Sequence, residues 1–255
     1  MNRIELPAQG VSLPHSFASH SLVSESDTVS RDRGSLPRVP AGDYATPLAT
    51  FAPIHYEPGY AYPLVVWLHG GSDNERQINR VMPLVSMRNY VAVGPRGTTA
   101  DRGGRGAFCW RQTPDDIELA EARVHECVEA ADDQFHIDAQ RVFLAGFGCG
   151  GTMAVRVAWN NPSRFAGVAS IGGPLPAQNR PLRHVNTMRR MPCFLAASRR
   201  SCAYPESAVC DDLRLLHAVG CTVDLRQYPC GDELSTNMLA DLDRWVMGVI
   251  GATHS

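Results

Sequence analysis

The chain has 255 residues, 44% of them hydrophobic and 20% charged, with a formal net charge of −2. That length supplies enough chain for one large α/β domain with a sizeable core, and the near-neutral balance excludes a protein held to nucleic acid or an anionic membrane mainly by charge. All 24 basic residues are arginine, which excludes Schiff-base chemistry, a P-loop and a Ser–Lys dyad, each of which needs a lysine ammonium.

No apolar run approaches the roughly 18–20 residues of a membrane span. The first 30 residues lack the apolar core of a signal peptide, so a cytoplasmic protein is expected. Eight cysteines (Cys109, Cys127, Cys149, Cys193, Cys202, Cys210, Cys221 and Cys230) contain no C-x-x-C pair. They read as reduced, mostly buried thiols rather than a disulfide framework or a zinc site, and neither a metal nor a cofactor is expected.

Residues 1–42 are rich in Ser, Pro, Gly and Arg without sustained periodicity and read as a disordered N-terminal tail, leaving 43–255 as the domain. Leu64–Leu68 is a short continuous apolar run, the mark of a strand buried on both faces. It ends in His69-Gly70-Gly71-Ser72 and leads to a helix over Glu75–Arg88. Tyr90–Val93 is a second buried strand, stopped by Gly94-Pro95, and a Gly- and Arg-rich loop runs from Arg96 to Arg111.

The next helix opens with Thr113 as N-cap, Pro114 at the first position and Asp115 and Asp116 complementing the dipole. Ile117, Ala120, Val124, Cys127, Val128 and Ala131 then recur at helical spacing. Val142–Ala145 gives a third strand, and a helix from Gly150 stops before Asn161-Pro162. Phe165–Ile171, Cys193–Ala197 and Cys221–Tyr228 read as strands. Helices over Glu206–Val219, stopped by Gly220, and Thr236–Ile250, capped by Ser235, complete the alternation. Such alternation predicts a doubly wound, mostly parallel sheet flanked by helices, with ligands at the carboxyl ends of the strands.

Two strand ends carry the specific signal: Leu68-His69-Gly70-Gly71, and the strand–turn–helix Arg141-Val142-Phe143-Leu144-Ala145-Gly146-Phe147-Gly148-Cys149-Gly150-Gly151. With the His136-Ile137-Asp138 lead and the closing Tyr228-Pro229, the chain from Tyr44 to Gly251 resembles the serine carboxylesterase/phospholipase branch of the α/β-hydrolase family. In that family the elbow reads G-x-S-x-G and the triad follows in the order Ser, Asp, His. Gly146 and Gly150 take the two glycine positions, so the resemblance puts Gly148 where the nucleophile belongs. It puts Ser201 at the acid position, four residues before Pro205, and Asp232 at the histidine position past Tyr228-Pro229.

All three triad positions are therefore vacated. A serine hydroxyl needs a base, and the base needs an acid to fix its tautomer. The resemblance implies a catalytically inactive homologue that keeps an oxyanion-hole remnant at the backbone N–H groups of Gly71 and Cys149. Its pocket would hold a small carbonyl or anionic ligand, or its surface would serve a partner, either a second copy or an active paralogue.

Other residues compete. Cys149, beside the apex, is the candidate nucleophile of a weak esterase or thioesterase, but the glycine two residues before it would have to be Phe147. His69 supports the oxyanion turn in the family. His217 reads as mid-helix filler, His184 as a loop residue near a pocket mouth, and Asp232 with Glu233 as a solvated pair or an acid–base couple. From Ala139 to Pro205 there are nine arginines and no Asp or Glu, whereas Asp115–Asp138 holds nine carboxylates against Arg123 alone. Arg199 and Arg200 flank Ser201 and are candidate anion binders, the alternative being arginines paired with the acidic helix. Gly103-Gly104-Arg105-Gly106 lacks phosphate-cradle spacing and reads as a loop over the pocket. Trp67 and Trp110 read as core and pocket wall. No nucleic-acid-binding module is present.

Overall fold

The computed structural model describes residues 46–101, 106–176 and 189–252. The expected tail, His184 and the Gly103–Arg105 segment lie outside the described residues.

Strands β1 (Leu48–Phe51), β2 (Tyr62–Leu68), β3 (Val91–Pro95), β6 (Ile137–Phe147), β7 (Gly167–Ile171), β8 (Cys193–Ser198) and β9 (Val223–Tyr228) form one sheet in the order β1-β3-β2-β6-β7-β8-β9. All neighbours are parallel except β1, which pairs antiparallel with β3. Between β3 and β6 a two-stranded hairpin, β4 (Thr99–Ala100) and β5 (Phe108–Cys109), stands apart. The helices are α1 (Ile78–Val85), α2 (Pro114–Gln134), α3 (Cys149–Asn160), α4 (Glu206–Val219) and α5 (Thr236–Ala252).

Strand alternation sorts the core onto two faces. Leu64, Val66 and Leu68 of β2 point into one cluster with Val124 of α2, Met153 and Val157 of α3 and Leu216 of α4. Val65 and Trp67 point into the other, with Ile78 and Met82 of α1 and Met238, Leu242 and Val246 of α5. Every residue of β2 is buried, which is why its sequence is a run and not an alternation.

Two tyrosines pin α5 from opposite sides. Tyr90, at the start of β3, donates its hydroxyl to Asp243 Oδ1 at 2.7 Å, and Tyr228, at the end of β9, donates to Asp241 Oδ2 at 2.6 Å. Burial is the first cause holding both phenols well above their ordinary range.

The expected class, layers and helix signals are found. Thr113 Oγ1 accepts the Asp116 N–H at the start of α2, and Gly220 ends α4 in the left-handed region, at φ 72°. The helix expected over Glu75–Arg88 is shorter: a 3₁₀ turn over Glu75–Gln77 precedes α1, and Ser86 ends it with an extended backbone. The strand expected from Phe165 begins at Gly167, and the one expected from Cys221 begins at Val223. The Arg96–Arg111 loop contains the β4–β5 hairpin. β1 is an addition; its short Leu-Ala-Thr-Phe segment is half-buried throughout. No described helix is long and apolar enough to cross a membrane.

Candidate functional site

The register aligns the carboxyl ends of the central strands. Leu68 of β2 lies opposite Gly146 of β6, Phe147 opposite Ile171 of β7, and Ser198 of β8 opposite Tyr228 of β9. The segments after these strands carry His69–Ser72, Gly148, Arg199–Ser201 and Cys230–Asp232, so topology gathers the residues singled out in the sequence on one rim.

At the centre of that rim the chain turns sharply from β6 into α3. Gly148 is the pivot, with φ 53° and ψ −122°, a region glycine enters freely and side-chain-bearing residues do not. Its N–H donates to Ile171 O at 2.8 Å and its carbonyl accepts the Thr152 N–H at 3.1 Å. The glycines on either side permit backbone-to-backbone contact: a Cβ on Gly150 would stand 2.3 Å from the carbonyl oxygens of Leu68 and His69, and one on Gly146 would stand 2.5 Å from Gly150. At Gly148 itself a Cβ would meet nothing within 4 Å. The turn has the shape of a nucleophile elbow, with room at its apex for a side chain this sequence does not supply.

The turn after β2 is held rigid beneath it. His69 is fully buried. Its Nε2 accepts the Gly97 N–H at 2.8 Å, so Nδ1 carries the proton and donates to Gly70 O at 2.7 Å. Both ring nitrogens are thus spent on backbone, and burial holds the imidazole below its ordinary pKa. Its role is a staple between two loops. A Cβ on Gly97 would stand 3.0 Å from the ring and 2.8 Å from Cys109 O. Gln77 accepts from Trp67 Nε1 at 2.8 Å and from the Gly70 N–H at 3.2 Å, and Trp110 Nε1 donates to His69 O at 3.0 Å. Both tryptophans are buried in the core, Trp67 in one cluster and Trp110 in the other.

The β4–β5 hairpin is fastened to the same turn. Ser72, at φ 60°, donates to Asp101 Oδ2 at 2.7 Å; the Phe108 N–H donates to Asp73 O at 2.8 Å; Asn74 donates to Gly106 O at 2.9 Å. Below it, Arg96 forms a two-pronged ion pair with buried Glu75, at 2.8 and 2.6 Å. Sequence reading missed this scaffold. The only signals for it were the polar residues of Ser72-Asp73-Asn74-Glu75 and an unexplained Gly97.

Ser201 and Asp232, the other two positions the resemblance singled out, meet each other. Ser201 donates its hydroxyl to Asp232, whose carboxylate also accepts the N–H groups of Cys202 at 3.1 Å and Ala203 at 3.4 Å. Ser201 Oγ in turn accepts the Tyr204 N–H at 2.7 Å. The Ser201 hydroxyl is the first cause holding the Asp232 carboxyl below its ordinary range. Both oxygens of Asp232 cap this turn, so no acid–base couple with Glu233 forms.

Cys149 is the first residue of α3, not the apex, and is half-buried. Its sulfur would lie 3.8 Å from a Cβ on Gly71, and burial pushes the thiol above its ordinary pKa. His217 is exposed near the end of α4. Arg199 and Arg200 are exposed; the Arg200 guanidinium donates to Pro229 O at 3.1 Å, and neither forms an ion pair among the described residues. Of the expected pairing with the acidic stretch, Arg141–Asp138 is present. No group of side chains suited to a metal occurs among the described residues.

With this geometry in place, comparison with known proteins decides the family. Residues 45–224 match the Esterase family model, described as "Putative esterase". The chain belongs to that family. It is also 42% identical over 120 residues to "Putative esterase NocK" of Nocardia uniformis subsp. tsuyamanensis, an alignment covering 45% of this chain and 34% of that protein, so the match spans about a third of the relative's length. Among solved structures, a Bacillus cereus carboxylesterase matches with TM-score 0.65 at 15% identity, covering 81% of this chain and 96% of that one. A phospholipase/carboxylesterase from Dyadobacter fermentans matches with TM-score 0.59 at 18% identity over 80% and 97%. YahD, solved with malic acid, matches with TM-score 0.63 at 13% identity over 80% and 99%. These structural likenesses establish the α/β-hydrolase-type fold.

Proposed function

We propose that this member of the esterase family is catalytically inactive and uses the retained elbow and oxyanion turn to bind a small carbonyl compound or carboxylate. The observation that carries the reading is Gly148: the residue at the apex of the β6–α3 turn has no side chain, and the space a nucleophile would occupy is open for 4 Å. Ser201 and Asp232 are bonded to each other, so neither serves as triad acid or base. The first N–H groups of a helix carry partial positive charge that suits an anion. Cys149 opens α3 directly after Gly148 and lies beside Gly71, whose Cβ would stand 3.8 Å from its sulfur; their N–H groups are the oxyanion-hole remnant of this proposal, with Arg199 and Arg200 on the same rim as a source of positive field. A cytoplasmic setting and a second copy or active paralogue as partner belong to the same proposal.

The test is hydrolysis of short-chain nitrophenyl esters beside Cys149→Ala, together with thermal unfolding in malate and acetate. The expected result is no turnover above a protein background in either chain, with a melting temperature raised by at least one of the two acids. Turnover that disappears with Cys149→Ala would make this a thiol hydrolase and overturn the proposal. Turnover that survives would overturn it in favour of another nucleophile.

A further inference from the structure

At the opposite end of the sheet from Gly148, a cleft of about 590 Å³ opens beside the amino ends of β7, β8 and β9, with α5 as its wall. Its floor is apolar, built from Phe143, Val223, Trp245 and Ile250, and three arginines, Arg141, Arg190 and Arg244, face it against one carboxylate, Asp224. That carboxylate is already engaged, with Arg226 Nε at 3.2 Å. The arginines differ in freedom. Arg141 is held by Asp138 and by Ala61 O at 2.9 Å. Arg244 bonds Asp241 at 2.7 Å with 72% of its side chain exposed, a pair worth little in water and readily exchanged. Arg190 is exposed and forms no ion pair among the described residues.

The cleft continues on both sides. A smaller cavity shares Gln140, Ala166 and Arg190 with it, and another shares Arg141 and Ile250 and adds Tyr60 and Met247. Those last two are 48% and 43% exposed, among the most exposed large hydrophobic side chains described. The central cleft is mainly apolar and the cavities beside it are polar or mixed; an apolar cleft with guanidinium groups at its edge matches a ligand with a hydrocarbon chain at one end and an anion at the other.

We propose that this cleft is a second binding site, independent of the elbow, which takes an amphipathic carboxylate of the fatty-acid class. The chain lies on Phe143, Trp245 and Ile250, and the carboxylate is held by Arg190 and Arg244.

The four tryptophans make the site directly readable. Trp67, Trp110 and Trp159 are between 1% and 3% exposed, whereas Trp245 lines the cleft and is half-buried. Quenching of tryptophan emission by acrylamide therefore reports on Trp245. Titrating the full chain with decanoate below its micelle threshold is expected to protect that emission saturably, and Trp245→Phe to remove the protected signal. Decanol and acetate, each carrying half of the ligand's chemistry, are expected to bind at least about tenfold more weakly. The double variant Arg190→Gln/Arg244→Gln, both surface positions, is expected to lose about tenfold in decanoate affinity. Protection by decanol equal to that by decanoate, or an undiminished affinity in the double variant, would overturn the proposal. So would protection that rises with protein concentration without ligand, because a second copy of the chain would then cover the cleft.

Discussion

Ser201 and Asp232, which follow different strands, are hydrogen-bonded to each other. The carboxylate of Asp232 also accepts the N–H groups of Cys202 and Ala203, so it caps the loop after β8 through three donors. Under the proposed reading these are the acid and histidine positions of a hydrolase triad, where a working pair would orient an imidazole toward the nucleophile.

The pair is a structural clasp with a pH signature. A carboxyl whose folded pKa lies below its unfolded value contributes stability above the unfolded value, near 4, and loses it as pH falls through the folded one. Asp232 is exposed, so the contribution is small after solvent screening. Asp232→Asn is expected to lower a melting temperature measured at pH 7 more than one measured at pH 3. An equal loss at both pH values would refute a charge-dependent clasp.

Gly148→Ser has room for its side chain, but the backbone at φ 53° charges a serine about 1–3 kcal/mol. Urea unfolding is expected to show a loss of that size, with no gain in ester hydrolysis if, as proposed, neither Ser201 nor Asp232 supplies a triad acid or base. Gly150→Ala meets the opposite situation: its Cβ lands on two backbone carbonyls, and a loss of about 3 kcal/mol or more is expected. If Gly150→Ala were the milder change, the elbow geometry would be wrong.

His69 is neutral for a reason that can be titrated. Protonating Nε2 would break the bond from Gly97 and charge a buried ring. With its folded pKa below the ordinary value near 6.5, the residue contributes stability that is complete above that pH and is lost as pH falls through it toward the folded value. In a pH series followed by NMR, its ring is expected to titrate below 6.5. A midpoint above 6.5 would show that a carboxylate, and not backbone, partners it.

Alkylation ranks the thiols. Cys202 and Cys210 are exposed, while burial holds Cys149 above the ordinary thiol pKa, so the thiolate that reacts is scarcer there. Iodoacetamide at pH 7 is expected to modify Cys202 and Cys210 first by peptide mapping. Cys149 labelled ahead of both would revive it as a nucleophile.

Glu75 carries the scaffold beneath the oxyanion turn. Glu75→Gln leaves the half-buried Arg96 guanidinium without its counter-charge, and a loss of about 1.5–3 kcal/mol is expected for the charged hydrogen bonds. A near-neutral result in chemical unfolding would mean that Arg96 swings out to water.

Much of this was legible in the order of residues. Continuous apolar runs such as Leu64–Leu68, and cap signals such as Thr113-Pro114 and Gly220, act locally, so the sheet and most helices could be placed from them. Gly146 and Gly150 could be placed because backbone passes too close to either for a side chain, and Gly148 follows from its spacing between them. What could not be read depends on groups distant in sequence. The clasp between Ser201 and Asp232 joins loops 31 residues apart, and the staple from His69 to Gly97 spans 28. Neither leaves a periodic trace. The antiparallel β1 was missed because four half-buried residues present no pattern against their surroundings.

The two tyrosine bonds to α5 bear on how the chain reaches this state. Asp243 is bonded to a residue 153 positions earlier, and α5 is made only after every strand it covers. Until it docks, a nascent chain shows water the part of that sheet face which α1 leaves uncovered, around Phe143 and Phe194, against which Trp245 packs. A released chain that stopped just before Thr236 would carry the sheet with part of one side bare, the kind of surface that chaperones retain and that aggregates. The protein's yield in a cell should therefore depend on how quickly the segment from Thr236 to Ala252 follows the rest off the ribosome.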